Sequence, residues 1–193
     1  MASPLLELAE GCPDVTVEVV PGLTAALSGG AVLGAPLAHD FCVLSLSDRL
    51  TPWEVIEKRL AAAAMGDFCM AVYNPSSKGR PDYLARAVRI LLQNGKAPDT
   101  VCGLVRNIGR EGQSAQVLTL AQLEQTPVDM FTTVYIGNRN TRVLQGRMDR
   151  CRWALETAHS GRTVALVCSG DAGVYGMASP LLELAEGCPD VTV

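Results

Sequence analysis

Histidine is scarce in this chain: His39 and His159 are the only two in 193 residues. Neither lies near a pair of cysteines, and Cys12, Cys42, Cys69, Cys102, Cys151, Cys168 and Cys188 include no C-x-x-C spacing. A zinc or iron–sulfur site built on closely spaced thiolates is therefore not expected. Several of these cysteines sit inside strand-like runs such as "FCVLSLS" and "VALVCSG", so they read as buried, reduced thiols acting as small hydrophobes. Long apolar runs are also missing. "LAAAAM" (60–65) falls far short of the roughly 20 residues that a membrane span needs, so no membrane partner is expected. The chain does not open on a basic n-region followed by an apolar stretch, which makes a secretory leader unexpected and the cytoplasm the expected compartment. Aromatic residues make up 5% of the sequence, and the net charge is −4. That acidic balance argues against nucleic acid as a general partner.

Apolar content is high instead, with strand-like runs alternating with helical periodicity. "FCVLSLS" (41–47), "DFCMAVYNP" (67–75), "TVCGLVRNIG" (100–109) and "DMFTTVYIG" (129–137) read as strands. "TPWEVIEKRLAAAAM" (51–65) and "PDYLARAVRILLQNG" (81–95) read as helices, the first with Pro52 at its start and the second stopped by Gly95. Residues 2–10 have helical spacing, "DVTVEVV" (14–20) is β-branched and strand-like, and "TAALSGGAVLG" continues as a helix of small residues. Continuously apolar strands alternating with helices indicate an α/β layer fold with mostly parallel sheets.

The ends of the chain repeat. "MASPLLELAEGCPDVTV" forms residues 1–17 and recurs without a change as residues 177–193. Repeat proteins show diverged copies at periods of about 20–50 residues, so this duplication is of another kind. Two identical segments competing for one place favour exchange between chains, which makes a homodimer, swapped through the duplicated ends, the expected assembly.

In an α/β fold, ligands gather where strands deliver their C-terminal ends. Four segments there carry chemistry. "SGDAGVYG" (169–176) is a glycine loop between a strand and a helix, with Asp171 as a carboxylate; it reads either as an anion-cradling loop or as a plain turn. "VVPGLTAALSGG" (19–30) turns at Pro21-Gly22 and presents Thr24 and Ala25 at a helix start. "YNPSSKGR" (73–80) turns at Asn74-Pro75 and projects Lys78 and Arg80. "RNIGREGQ" (106–113) sets Arg106 and Arg110 around Gly109. Lys78, Arg80, Arg86, Arg89, Lys96, Arg106 and Arg110 face only Asp82 and Asp99 in the stretch from Asn74 to Arg110. They form either a solvated helix face or a landing site for a small polyanion.

The segments "SGDAGVYGM", "VVPGLTAALSGGAVLGAPLAHDFCVLSLSDRLTPWEVIEKRL", "YNPSSKGR", "VRNIGR" and "TTVYIGNRNT" together resemble the tetrapyrrole methylases of cobalamin biosynthesis. Within them, "GAPLAHDFCVLSLSDRLTPW" resembles the ring-contracting precorrin-3B C(17)-methyltransferases. The order is rotated: the family's "ERC…AL…A..G..VALVSSGDAG" segment, which there precedes the part matched by residues 1–145, matches residues 149–177 here, and the family's opening strand with its "GxGPG" loop has no counterpart. The resemblance implies a two-domain α/β fold with an incomplete cofactor domain. A C-terminal-type domain is expected over 41–146, and a partial cofactor domain from 1–40 and 147–193. It implies S-adenosylmethionine as cofactor, held by Gly170, Asp171, Val174 and Tyr175, by Thr24 and Ala25, and by Tyr73 and Asn74. It implies a precorrin-3B-like tetrapyrrole whose carboxylates are met by Lys78, Arg80, Arg106 and Arg110. The expected activity is methyl transfer with ring contraction, on precorrin-3B or its cobalt-containing equivalent. His39, Asp40 and Asp48 are the acid/base candidates, because ring contraction also needs proton transfer and the histidine pKa lies near working pH. The alternative is an inactive fragment or a non-catalytic tetrapyrrole-binding module, since the "GxGPG" loop is missing.

Overall fold

The computed structural model describes residues 2–12, 14–37, 40–144 and 147–149. Along the chain run α1 (Ala2–Ala9), α2 (Ala25–Leu33), β1 (Phe41–Ser45), α3 (Trp53–Met65), β2 (Cys69–Tyr73), α4 (Tyr83–Gln93), β3 (Val101–Arg106), β4 (Ser114–Thr119), α5 (Leu120–Leu123) and β5 (Thr132–Ile136). A short antiparallel hairpin, β6 (Arg142–Leu144) with β7 (Arg147–Asp149), follows.

Among the described residues, a five-stranded sheet in the order β1-β2-β5-β3-β4 organises the fold. Its two faces follow from the two-residue repeat of each strand. Met70, Val72, Cys102, Leu104, Val134 and Ile136 point to the face covered by α3, α4 and α5. Ala71, Val105 and Tyr135 point to the other, where α2 lies with Ala26 and Leu33 against them. The helices bury the stripes their sequences prescribe: Trp53, Ile56, Leu60, Ala63 and Ala64 from α3, and Leu84, Ala87, Val88 and Leu91 from α4. Each fully buried Leu, Ile or Val in these stripes contributes about 1.5–3 kcal/mol of transfer free energy. The small-residue helix α2 sits close to the sheet and ends at Gly34, whose φ of 116° favours glycine.

The α/β expectation holds, with one change in strand sense. The sheet is mixed: β1 pairs parallel with β2, whereas β5 inserts antiparallel between β2 and β3, and β4 is antiparallel to β3. Continuous apolar character marks a strand covered on both faces, whichever way it runs, and "TTVYI" is buried throughout. A second change concerns "DVTVEVV". Residues 15–20 form no strand, and Val15, Val19 and Val20 are exposed, Val20 to 80%. Among the described residues no strand pairs with this segment, and β-branched composition without a neighbouring ladder does not offset the entropy of extension.

The cysteines divide. Cys69 and Cys102 are fully buried, as expected, and burial pushes the Cys102 thiol up to about 12, while Cys12 is exposed. No helix among the described residues is long and apolar enough to cross a membrane. No group of three or more His, Cys, Asp or Glu among them is placed to hold a metal ion.

Candidate cofactor and substrate site

Strand order and sense decide which loops meet. β5 is antiparallel to both β2 and β3, so β1, β2 and β3 all deliver their C-terminal ends to one edge of the sheet. Ser45, Tyr73 and Arg106 end these strands, and the loops 46–52, 74–82 and 107–113 leave from there.

The first turn of α2 joins them. Its Ala26 N–H donates to the Tyr73 hydroxyl at 2.8 Å, which ties a helix N-terminus to the end of β2. Thr24 is the N-cap, with its backbone extended and its hydroxyl accepting from the Leu27 N–H at 3.4 Å. Residue 74 takes φ 53°, a left-handed conformation that Asn tolerates better than most side chains. The Asn74 amide Nδ2 donates to Ser45 Oγ at 2.9 Å. Thr24, Ala25, Tyr73 and Asn74, expected to share a role, are thus brought together. Gly170, Asp171, Val174 and Tyr175 lie outside the described residues, as does His39.

Beside this edge stands an ionic clamp. Asp48 accepts from Arg80 Nη1 on Oδ1 and from the Tyr83 hydroxyl on Oδ2, both at 2.6 Å. Arg80 also donates to Ser77 Oγ at 3.1 Å and to Ser47 Oγ at 3.3 Å. Tyr83 packs on Trp53 with ring centroids 4.4 Å apart, and the Arg86 guanidinium lies 4.1 Å over the Trp53 ring. The clamp fastens the loop after β1 to the loop after β2. The Tyr83 hydrogen bond, followed by that from Arg80, holds the Asp48 carboxyl below its ordinary value of 3.8. The same contact raises Tyr83.

Two of the acid/base candidates, Asp48 and Asp40, lie among the described residues. Asp48 anchors the clamp, its carboxylate accepting from Arg80 and Tyr83. Asp40 precedes β1 and is exposed, at the opposite end of that strand from Ser45, roughly 16 Å away at 3.3 Å per residue. The structure does not bring it to the loops that carry Tyr73 and Asn74.

The clamp predicts a pH dependence. Asp48 has a depressed folded-state pKa, so its contribution to stability is fully present above the unfolded value and is lost as pH falls through the folded one. The urea midpoint of Asp48→Asn should therefore lie below wild type at neutral pH and converge with it in acid. A constant gap down to low pH would show that the carboxylate is not the stabilising element.

The cations also divide. Arg106 Nε pairs with Asp129 at 2.8 Å, with the arginine side chain 47% exposed. Exposed pairs of this kind are worth about 0–1 kcal/mol, so a competing carboxylate displaces Asp129 at little cost. Lys78 and Arg110 are exposed and form no ion pair among the described residues. Lys96 belongs to none of these loops. It is 4% exposed and donates to Asp67 and to two backbone carbonyls at the opposite edge of the sheet.

Sequence reasoning passed over Tyr135. It is fully buried in the middle of β5, and its hydroxyl reaches Ala25 O at 2.7 Å and Ala26 O at 2.9 Å. The signal available was a tyrosine within an otherwise buried strand, whose hydroxyl must find a partner.

Residues 1–124 match the family described as tetrapyrrole (corrin/porphyrin) methylases. The chain belongs to the tetrapyrrole methylase family. A probable cobalt-factor III C(17)-methyltransferase of Salmonella typhimurium is 47% identical over 135 residues, which cover 70% of this methylase chain and 56% of that protein. A precorrin-3B C(17)-methyltransferase of a Sinorhizobium species is 42% identical over 133 residues, covering 68% and 52%. The crystal structure of the methyltransferase CobJ superposes with a TM-score of 0.69 at 41% identity, over 77% of this chain and 63% of that one. The methylase chain described here thus spans little more than half the length of the first two relatives.

Proposed function

We propose that the chain carries out S-adenosylmethionine-dependent methyl transfer to a corrin precursor, with ring contraction, on precorrin-3B or cobalt-factor III. The observation that carries this reading is the meeting of Thr24 and Ala25 with Tyr73 and Asn74, through the 2.8 Å hydrogen bond from Ala26 N to Tyr73. It supports one wall of an adenosyl site, reinforced by the names of relatives at 42–47% identity. Gly170, Asp171, Val174 and Tyr175 are assigned to the opposite wall. Residues 41–146 form the sheet domain in this reading, and 1–40 with 147–193 the cofactor domain, with α2 bridging the two.

The available donors suit that cofactor. Thr24 contributes a hydroxyl, and the first turn of α2 contributes partial positive charge. The Asn74 Nδ2 is occupied by Ser45, which leaves Oδ1 to accept from an amine or hydroxyl. The bound sulfonium supplies an electrophilic methyl, and the demand on the protein is positioning rather than activation. Lys78 and Arg110 meet substrate carboxylates directly, and Arg106 does so on releasing Asp129. Arg80 holds the Lys78 loop in place through Asp48. His39 remains the proposed acid/base. A cytoplasmic homodimer, swapped through the repeated ends, completes the assignment.

Calorimetric titration with S-adenosylhomocysteine tests the reading. Asn74→Gly keeps the left-handed backbone and removes the amide, and should weaken binding about five- to tenfold, the loss of one hydrogen bond. Incubation with S-adenosylmethionine and cobalt-factor III should give a product heavier by one methyl. Absence of heat with the wild-type chain would refute the assignment.

A further inference from the structure

Two tyrosines from neighbouring strands grip the first turn of α2 in opposite senses. Tyr73, at the end of β2, accepts the Ala26 N–H at 2.8 Å. Tyr135, in β5, directs its hydroxyl at Ala25 O and Ala26 O, at 2.7 and 2.9 Å. Each of these carbonyl oxygens has a second lone pair beyond the one used by the helical ladder, so the Tyr135 hydroxyl supplements that ladder instead of replacing it. Space for the hydroxyl exists because residue 29 is glycine. A Cβ there would collide with Tyr135 Oη and come within 2.8 Å of Ile108 Cδ1. Phenylalanine would fill the ring's place in the core equally well; the hydroxyl and the missing Cβ opposite it fit each other. Burial, reinforced by the nearby Tyr73, pushes the Tyr135 pKa up and keeps the hydroxyl a donor.

We infer that Tyr135, seated against Gly29, is a positioning residue that fixes the height and rotation of α2, and through them the placement of Thr24 and Ala25 toward the cofactor. The cofactor part of this statement rests on the function proposed above. A helix of small residues such as "AALSGGAVL" has few large side chains to set its axial position. Ala26 and Leu33 define its buried face, but an alanine knob allows sliding that a leucine knob would resist. Hydrogen bonds to both a donor and an acceptor of one turn remove that freedom, because translation or rotation breaks at least one of them. Tyr135 reaches no ligand itself; it acts through the turn that carries Thr24.

The test uses the full-length chain and two readouts. In Tyr135→Phe, amide exchange at Ala26 and Leu27 should accelerate about tenfold relative to amides of β2 and β3, reporting local loosening. The dissociation constant for S-adenosylhomocysteine should rise about fivefold, equivalent to one hydrogen bond. Val88→Ala, on the opposite face in α4, lowers global stability and should move neither ratio. Gly29→Ala supplies a second line: its shift in urea midpoint should be clearly smaller in the Tyr135→Phe background, because the nearer of the two colliding atoms is gone while Ile108 Cδ1 remains. Unchanged local exchange in Tyr135→Phe, with Gly29→Ala equally harmful in both backgrounds, overturns the inference. Local loosening without any binding of S-adenosylhomocysteine by the wild-type chain upholds the grip on α2 and overturns the cofactor assignment alone. Wild-type binding that Tyr135→Phe leaves intact, despite loosening, overturns the link from α2 to the cofactor.

Discussion

Lys96→Met is expected to cost about 3–5 kcal/mol of stability, the range found when one partner of a buried ion pair is removed. The three protons of Nζ have three acceptors: Asp67 Oδ1 at 3.0 Å, Phe68 O at 3.0 Å and Gly137 O at 2.8 Å. The clamp joins the turn after α3, the start of β2 and the end of β5 at the edge of the sheet away from the candidate site. Methionine fills most of the same volume but leaves two carbonyls without their donor, each costing about 1–3 kcal/mol when buried. Asp67 keeps Arg139, whose Nε lies 2.8 Å away, which places the expected loss at the lower end of the range. Burial raises the Asp67 pKa, but hydrogen bonds from Arg139 and Lys96 outweigh it and leave the carboxyl below its ordinary value. Its stabilising effect is therefore present above the unfolded pKa and disappears as pH falls through the folded one, so the acid limb of stability should shrink in Lys96→Met. Urea unfolding across pH measures both effects. A loss below about 1 kcal/mol would mean that water replaces the ammonium at the two carbonyls.

Lys96 also shows why part of this fold could not be read from sequence. It sits among Arg86, Arg89 and Arg106 in the chain and reads as one more surface cation. Two of its three acceptors are backbone carbonyls, which every residue carries, so no side-chain pattern marks the site. Asp67, the third, is distinguished only by a φ of 52° that tertiary structure imposes. The helices α3 and α4 were legible because an apolar stripe at 3.6-residue spacing has one physical use. The strands were legible as buried runs, whereas their sense was not. "TTVYI" is buried throughout because α2 covers one face and the layer of α3, α4 and α5 the other, a condition met equally by parallel and antiparallel neighbours. "VTVEVV" had the right composition for a strand, but composition cannot say whether a neighbour exists.

The candidate site divides along the same line. Thr24 and Asn74 were legible because capping and left-handed turns demand particular side chains, and each demand is local. Arg80 and Asp48 were both visible as charged residues, yet their pairing needs the loops after β1 and β2 to lie side by side. That follows from the parallel register of Ser45 with Tyr73 and from nothing local. The role of Gly29 depends on Tyr135, more than a hundred residues later in the chain. Residues that act through long-range contacts are named by the structure; residues that act through backbone conformation are named by the sequence.

Simultaneous Lys78→Glu and Arg110→Glu is expected to weaken binding of a polycarboxylate tetrapyrrole by roughly a hundredfold or more. Both side chains are exposed, lie in loops at the same sheet edge, and lack ion pairs among the described residues, so their charge is available to a ligand. A unit-charge contact at about 4 Å is worth about 1–4 kcal/mol between water and a surface-like dielectric, and reversing the charge changes it by about twice that. Two such reversals exceed the 2.7 kcal/mol or so that a hundredfold change requires. Arg80 is the wrong residue for this experiment, although its position in the sequence makes it attractive. Arg80→Glu would set a carboxylate against Asp48 at the end of a 2.6 Å ion pair, and a loss of binding would report a broken clamp. Arg89→Glu is the proper control. Its guanidinium is 61% exposed and pairs with Glu124 beside α5, which follows the far end of β4. The same change in sign there alters net charge without touching the site edge. Binding followed by absorbance at low salt should fall steeply for the double reversal and little for Arg89→Glu. The difference should narrow as salt shortens the screening length from about 10 Å at 0.1 M to about 3 Å at 1 M. The double reversal changes net charge twice as much as Arg89→Glu, so a loss from Arg89→Glu of half or more of that from the double reversal would assign the attraction to the overall field and return Lys78 and Arg110 to ordinary solvated surface.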